Sequence, residues 1–320
     1  MSVSISETVE RTVRIVHYEN TNFMGRLHGG DMLQFLTDIG FIAASRIARG
    51  TALLAYLDDV AFKKPVDLGD IITLEAEVDY VSNSSMEVTM RALRDGDVVV
   101  EATGAYVRVD EFMRPTPVGV KILPKDPEEE KKVVEAKARR ERRLAKIVDR
   151  KEKRFDVEDP TRGIRNRLET TTLVTPELTY DGWIMSAGKL LKLMDDQGGA
   201  TVLRFLGYRG RGNGSAVTVA VNGFSFYSPV KVGDVIHIYS GLAYVGNKSA
   251  DVLLKVIKED LRAGTREHVA TAIFSYVRIG EDGSTTRMPP FEPQGEAEKK
   301  LYEEAVRRRA SLGLLHTKPT

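Results

Sequence analysis

Two segments of this 320-residue chain place acids and glycines at spacings that suit base catalysis and oxyanion binding. One is Gly30-Asp-Met-Leu-Gln-Phe-Leu-Thr37-Asp38-Ile-Gly40, the other Gly188-Lys-Leu-Leu-Lys-Leu-Met-Asp195-Asp196-Gln-Gly198. On a wheel of 100° per residue, Asp31, Gln34 and Asp38 fall on one polar stripe. Lys189, Lys192 and Asp196 fall on the equivalent stripe of the second segment. Met32, Leu33, Leu36 and Ile39 oppose the first stripe, and Leu190, Leu191 and Met194 the second. Thr37 and Asp195 stand at the border between the faces. A carboxylate there is partly desolvated yet reaches a cleft, a setting suited to general-base work. The wheel alone fits Asp195 as an exposed helix acid equally well, and Asp38 and Asp196 read as solvated face residues. Gly29-Gly30 and Gly188 precede the helices. They serve loop closure and close packing, or they leave amides at a helix N-terminus for a developing oxyanion. His28 has the chemistry of a base near neutral pH. The sequence offers it no identifiable partner acid, so it is expected to line the site.

The elements that carry these residues occur twice. The Gly30–Gly40 segment pairs with Gly188–Gly198, and Phe62-x-x-Pro65-Val-x-x-Gly69-Asp70 with Phe226-x-x-Pro229-Val-x-x-Gly233-Asp234. Asn83-Ser-Ser85 pairs with Asn247-Lys-Ser249, and Tyr106-Val-Arg with Tyr276-Val-Arg. The offset drifts from 158 through 164 to 170, so small insertions separate the blocks. The Gly/Arg-rich stretch 207–214 reads as one of them, a loop. Each copy shows a strand (8–16; near 168–174), a loop, one long helix (31–48; 189–206) and four alternating strands. These lie near 52–62, 70–81, 85–95 and 98–110, then near 216–226, 234–245, 249–258 and 267–279. Pro-Val-x-Leu/Val-Gly-Asp is turn chemistry between two of them. One helix against a five-stranded antiparallel sheet is an α+β layer plan. A helix starting at Asp126-Pro127-Glu128, with N-cap, proline and first-turn acids, runs to about Arg154. Its charge density reads as a solvated linker, with a basic face for phosphates or RNA as the other reading. The expected organisation is two repeat domains at 1–118 and 167–288, a linker helix at 119–166 and a helical tail at 289–320.

Bulk composition excludes several chemistries. With no cysteine there are no disulfides, thiolate nucleophiles or Cys-based zinc sites, and five scattered histidines disfavour zinc by other ligands. No metal and no cofactor is expected. The net charge of +1 supplies no global field for nucleic acid, which is not expected as a partner. No 18-residue apolar run predicts a membrane span, the N-terminus has no signal-peptide core, and a cytoplasmic location is expected. No Gly-x-Ser-x-Gly elbow suggests a Ser-His-Asp hydrolase.

Asn22-Phe-Met-Gly25-Arg-Leu-His28-Gly29-Gly30-Asp-Met-Leu33 resembles the Asn-x-x-Gly-x-x-x-Gly-Gly-x-Leu-Leu motif of hotdog acyl-CoA thioesterases. The Phe62–Asp70 block with its copy, and the turn Asn83-Ser-Ser-Met-Glu87, match the next two blocks of that family. The resemblance spans roughly residues 8–145 and 167–310 and is nearest to the tandem, two-hotdog long-chain acyl-CoA hydrolases. It implies an α+β fold of two hotdog domains, each a long helix wrapped by a five-stranded antiparallel sheet, packed as an intrachain pseudo-dimer. It also implies hydrolysis of acyl-CoA at sites between the domains. There one domain lends an Asn from the loop before its helix and the other an acid from its helix, in a Met-Asp dipeptide. Double-hotdog chains of this kind assemble further, so a homo-oligomer is expected, a trimer being one such form.

Transferred residue by residue, the resemblance is asymmetric. The first copy keeps Asn22 but has Thr37 at the acid position. The second keeps Asp195, but the Asn position falls near Tyr180, and Trp183 replaces Gly25. One composite site therefore retains both partners, Asn22 with Asp195 as general base or nucleophile, and the other is expected to be inactive. Gly29, Gly30 and His28 are expected around the substrate carbonyl. Lys63, Lys64, Lys248 and Arg278 are candidates for the CoA phosphates, and Ser84, Ser85 and Ser249 for the nucleotide or pantetheine end. Two other readings stand beside hydrolysis. A non-catalytic acyl-CoA binder would not need the acid, and a hotdog hydratase would need a His on the helices, where none occurs.

Overall fold

The computed structural model describes residues 2–146, 150–208 and 215–314. The first copy consists of β1 (Glu10–Ile15), α1 (Gly29–Ala48), β2 (Ala52–Leu57), β3 (Val60–Phe62), β4 (Ile71–Val81), β5 (Ser85–Arg94) and β6 (Asp97–Arg108). Then come α2 (Pro127–Lys146) and the short α3 (Arg150–Lys153). The second copy is β7 (Arg167–Leu173), α4 (Ala187–Phe205), β8 (Ser215–Phe226), β9 (Val235–Val245), β10 (Ser249–Asp260) and β11 (Thr265–Ile279), followed by α5 (Gly295–Ser311). Each copy is the helix-and-sheet unit of a hotdog domain. The expected 52–62 strand is broken at Asp58-Asp59, which leaves β2 and β3. The loop expected at 207–214 lies outside the described residues beyond Tyr208, as do 147–149 of the linker and 315–320 of the tail.

The strands form one eleven-stranded sheet, ordered β1-β4-β5-β6-β2-β8-β11-β10-β9-β7, with β3 bridging β6 and β8. Every neighbouring pair in it is antiparallel. The two halves run in mirrored order outward from the β2/β3–β8 seam, so the sheets of the two copies are continuous. The helices lie on one face of it. Met32, Leu33, Leu36 and Ile39 of α1 and Leu190, Leu191 and Met194 of α4 are buried in a common core with Leu74, Val88, Val252 and Phe274. Serine caps α4, Ser186 Oγ accepting from the Lys189 amide at 3.3 Å. His28 caps α1, its Nδ1 accepting from the Gly30 amide at 3.2 Å.

The repeated Gly40/Gly198 and Tyr106/Tyr276 now have a physical reason. Tyr106 OH donates to the Thr37 carbonyl at 3.0 Å, and Tyr276 OH to that of Asp195 at 3.1 Å. Each glycine sits where a Cβ would collide with the tyrosine hydroxyl of its own copy. The phenol thus pins the middle of each helix to its own sheet.

Apart from Asp196, the polar stripes of α1 and α4 are at least partly withdrawn from solvent. The helices pack side by side along them, and Lys192 Nζ binds Asp31 Oδ2 at 2.6 Å across the domain boundary. Asp31 is buried and also accepts from Asn20 Nδ2 at 3.0 Å. A Cβ on Gly30 would lie 2.8 Å from the Lys192 backbone, and one on Gly188 2.8 Å from that of Gln34, so glycine sets the closeness of the helices. Asp38 is half-buried beside this interface, and burial raises its carboxyl to about 6 against the pull of Gln34, Arg14 and Lys189. Asp196 alone of the three acids remains exposed.

The charged linker is not simply solvated either. Lys132, Arg139 and Arg143 of α2 reach back to Glu77, Asp79 and Glu87, acids on the outer face of β4 and β5. α5 repeats the arrangement on the second half, with Arg308 and Arg309 both on buried Asp251. The two helices cover opposite ends of the sheet face that α1 and α4 leave open. These pairs take up Lys132, Arg139 and Arg143 of α2, while Lys131, Lys137 and Arg142 stay exposed.

Candidate active site

Asp195 is fully buried in the third turn of α4 rather than set at a partly exposed border. Its Oδ1 accepts from Thr218 Oγ1 at 2.7 Å and from Tyr276 OH at 2.9 Å. Its Oδ2 has no hydrogen-bond partner and lies 3.5 Å from His28 Nε2. A buried carboxylate oxygen without a donor is costly unless function retains it. The other oxygen is held by two hydroxyls, so the carboxylate cannot rotate away, and the free oxygen is fixed towards the N-terminus of α1. A Cβ on Gly29 would stand 2.9 Å from it.

His28 therefore does have acids nearby, which the sequence did not reveal. Nε2 is 3.5 Å from both Asp195 Oδ2 and Asp196 Oδ1, and both acids come from the other copy. Because Nδ1 accepts from Gly30 N, the neutral ring carries its proton on Nε2, facing those carboxylates. Asn22 belongs to the loop before α1. Its Oδ1 accepts from the amides of Met24 at 2.9 Å and Arg26 at 3.3 Å. The side chain is thereby oriented, with Nδ2 left as its donor.

Asn22, His28, Gly29, Lys63, Lys64 and Thr218 line one cavity of about 250 Å³ between the copies. Met32, Val66, Val217 and Val277 supply apolar wall, and Tyr276 sits at its base. Gly30 adjoins it through His28. Lys64 binds Asp97 at 2.6 Å. Lys248 reaches the rim through Thr285 Oγ1 at 3.1 Å. Arg26, which the motif reading passed over, lines the mouth. Ser84, Ser85, Ser249 and Arg278 are not brought into this cavity. Ser84 and Ser85 form the turn into β5, Ser249 accepts from Arg309, and Arg278 Nη1 donates to the Arg287 carbonyl. Thr218 and Tyr276, which hold the acid, are single residues within alternating strands. Only the repeat of Tyr106 at Tyr276 hinted at either.

A second cavity of about 320 Å³ is the pseudo-twofold mate of the first, lined largely by the equivalent positions of the opposite copies. Its residues differ from those of the first cavity. Thr37 replaces Asp195 and spends its hydroxyl on the Leu33 carbonyl at 2.8 Å. Leu54 stands for Thr218, Ser186 for His28 and Tyr180 for Asn22. Tyr180 stacks on Phe41, ring centroids 4.1 Å apart, and its hydroxyl accepts from the Ala187 amide at 3.2 Å. That amide heads α4 as Gly29 heads α1. Among the described residues no group of His, Cys, Asp and Glu has the geometry to hold a metal ion, and no helix is long and apolar enough to cross a membrane.

Comparison with known proteins bears on both copies. The family model described as Thioesterase superfamily matches residues 24–101 and 184–265, half of the chain. The cytosolic acyl coenzyme A thioester hydrolase of Rattus norvegicus is 27% identical over 320 residues, covering 91% of this chain and 80% of that protein. Protein VdlD of Helicobacter pylori is 33% identical over 145 residues, 45% of this chain and 79% of its own. Among solved structures, an acyl-ACP thioesterase from Bacteroides thetaiotaomicron shares the fold, with a TM-score of 0.56 and 13% identity over 86% of this chain and all of that one.

Proposed function

Because the chain belongs to the thioesterase superfamily, we propose that it hydrolyses acyl-CoA thioesters to free CoA and the acid at one composite site between its two copies. The observation that carries this reading is the buried, donor-free Oδ2 of Asp195, aimed from α4 at the N-terminus of α1. A water beside Oδ2 loses its proton to the carboxylate as it attacks the thioester carbonyl carbon. Charge then develops on the carbonyl oxygen. The Gly29 amide and the positive end of α1 lie where they stabilise it. The carbon–sulfur bond breaks, and the CoA thiolate takes the proton back from Asp195, which returns to the carboxylate. Asn22 Nδ2 is a fixed donor for the water or the carbonyl. His28 Nε2–H faces Asp195 Oδ2 from the other copy and orients the site around it.

Arg26, Lys63, Lys64 and Lys248 at the mouth are the cations suited to the phosphates of CoA. The apolar wall takes the acyl chain. The second cavity lacks base, donor and cations together, so each chain carries one working site. The experiment is CoA release from acyl-CoA by wild type, Asp195→Asn and Asn22→Asp. If Asp195→Asn keeps near-full kcat, the assignment of the base is wrong. Homo-oligomer formation, a trimer of chains included, is part of the same proposal and is read by the mass of the protein in solution.

A further inference from the structure

The second cavity has not closed. It is as large as the catalytic one, and at about 320 Å³ it is within the range of small-molecule sites. Its differences from the catalytic cavity follow one pattern. The positions of Arg26, Lys63 and Lys64 at the mouth are taken by Ile184, Tyr227 and Ser228, so every mouth cation is replaced by an uncharged residue. The reactive end is filled by the Tyr180–Phe41 stack, and the α4 amide there is satisfied by Tyr180. What persists is the apolar frame: Phe226, Pro229, Val230 and Val107 stand where Phe62, Pro65, Val66 and Val277 stand in the catalytic cavity. Ser186, Tyr227 and Ser228 leave polar but uncharged groups in the lining, the Ser228 hydroxyl buried without a hydrogen-bond partner. The frame survives where charge and chemistry were removed.

We propose that this cavity is a non-catalytic binding site for an unbranched aliphatic chain bearing no phosphorylated head group. The inference rests on the catalytic reading only in taking the shared frame as the part that meets an acyl tail. Binding is driven by burial of the chain, so affinity rises about fourfold per added methylene until the cavity is full. CoA is disfavoured, because no residue lining the cavity is a cation able to receive its phosphates. An alkyl carboxylate and an alkyl alcohol both present the required chain, the head group standing at the uncharged mouth.

Calorimetric titration of the full-length protein with decanoate, decanol and CoA tests this. Wild type should bind two decanoates and one CoA per chain. Ala55→Trp fills the second cavity and should bind one decanoate while hydrolysing decanoyl-CoA at the wild-type rate. Val219→Trp, the same position in the catalytic cavity, should also bind one decanoate but lose turnover. Val109→Trp offers a second plug if Ala55→Trp does not fold. A wild-type stoichiometry of one decanoate, two decanoates on both plugged variants, or two CoA per chain overturns the proposal. Decanoate and decanol binding the second cavity within threefold of each other supports recognition of the chain alone; a tenfold preference for either overturns that part. Asp195→Asn separates the two readings, since its turnover reports on the catalytic site and its decanoate stoichiometry on the second cavity.

Discussion

His28 Nε2 lies 3.5 Å from Asp195 Oδ2, so the residue that caps the helix of one copy touches the acid in the helix of the other. Neither copy alone holds this pair. The tandem arrangement brings the pair together, and the same pseudo-symmetry makes a second cavity whose lining carries no charged residue.

Asp195→Asn should preserve the fold and abolish base catalysis. The amide oxygen still accepts from Thr218 and Tyr276, while the new NH2 meets His28 Nε2–H where Oδ2 stood. A fall in kcat of about 10²–10⁴ is expected for loss of a positioned base, with a cooperative thermal melt retained. Steady-state kinetics and a thermal melt on the same preparation check both halves.

Asn22 has two duties that substitution can separate. Its Oδ1 closes the loop through the Met24 and Arg26 amides, and its Nδ2 is the donor offered to the cavity. Asn22→Asp keeps the acceptor and loses the donor, so kcat should fall at least about tenfold, by more than 1.4 kcal/mol of transition-state stabilisation, with little change in stability. Asn22→Ala loses both and should also lower the melting temperature.

The sequence was informative where a property repeats and silent where it depends on a distant partner. The two copies, their helices and most strands follow from periodicity and turn residues, whereas only the resemblance of the Met194-Asp195 dipeptide proposes Asp195 as the acid, the wheel alone leaving it open. The wheel could not tell whether the stripe of Asp31 and Lys192 met water or an equally polar stripe on another helix; it met the latter. Nor could the charge run of α2 show that Glu77, Asp79 and Glu87, outward-facing on strands some 55 residues earlier, would absorb Lys132, Arg139 and Arg143. Thr218 escaped notice because one threonine in an alternating strand carries no signal of its own.

Thr37→Asp should not create a second working site. The new carboxylate would face Leu54 where Asp195 has Thr218, and its cavity is blocked at the reactive end by Tyr180 on Phe41. Turnover per chain should stay at the wild-type value while stability falls, because a buried acid would gain only the Tyr106 hydroxyl as a donor. A rise in kcat towards twofold would show that the acid alone limits the second site.

Asp38 gives the interface of the helices a pH dependence of defined sign. Burial raises its carboxyl from 3.8 to about 6, so the folded protein binds this proton more tightly than the unfolded chain. The group contributes stability that is fully present below the unfolded value and is lost as pH rises through about 6. Asp38→Asn removes the cost of ionisation. It should stabilise the protein at pH 7.5 by at most about 3 kcal/mol, from 1.36 kcal/mol per pH unit, and by nothing near pH 3.5. Chemical denaturation of both proteins across this range measures the difference.

The clamp of α2 rests on Arg143 and Glu87, both buried, with the Arg143 guanidinium also over the Tyr56 ring at 5.1 Å. Removing one partner leaves the other charge uncompensated in the interior. Arg143→Ala should therefore cost about 3–5 kcal/mol in urea denaturation. Arg143→Met with Glu87→Leu removes both charges at similar volume and should recover most of that loss. The catalytic cavity lies on the far side of the sheet, so CoA release by the double variant should match wild type. If the double variant is as unstable as Arg143→Ala, the pair holds α2 by its own attraction rather than by sparing a buried charge.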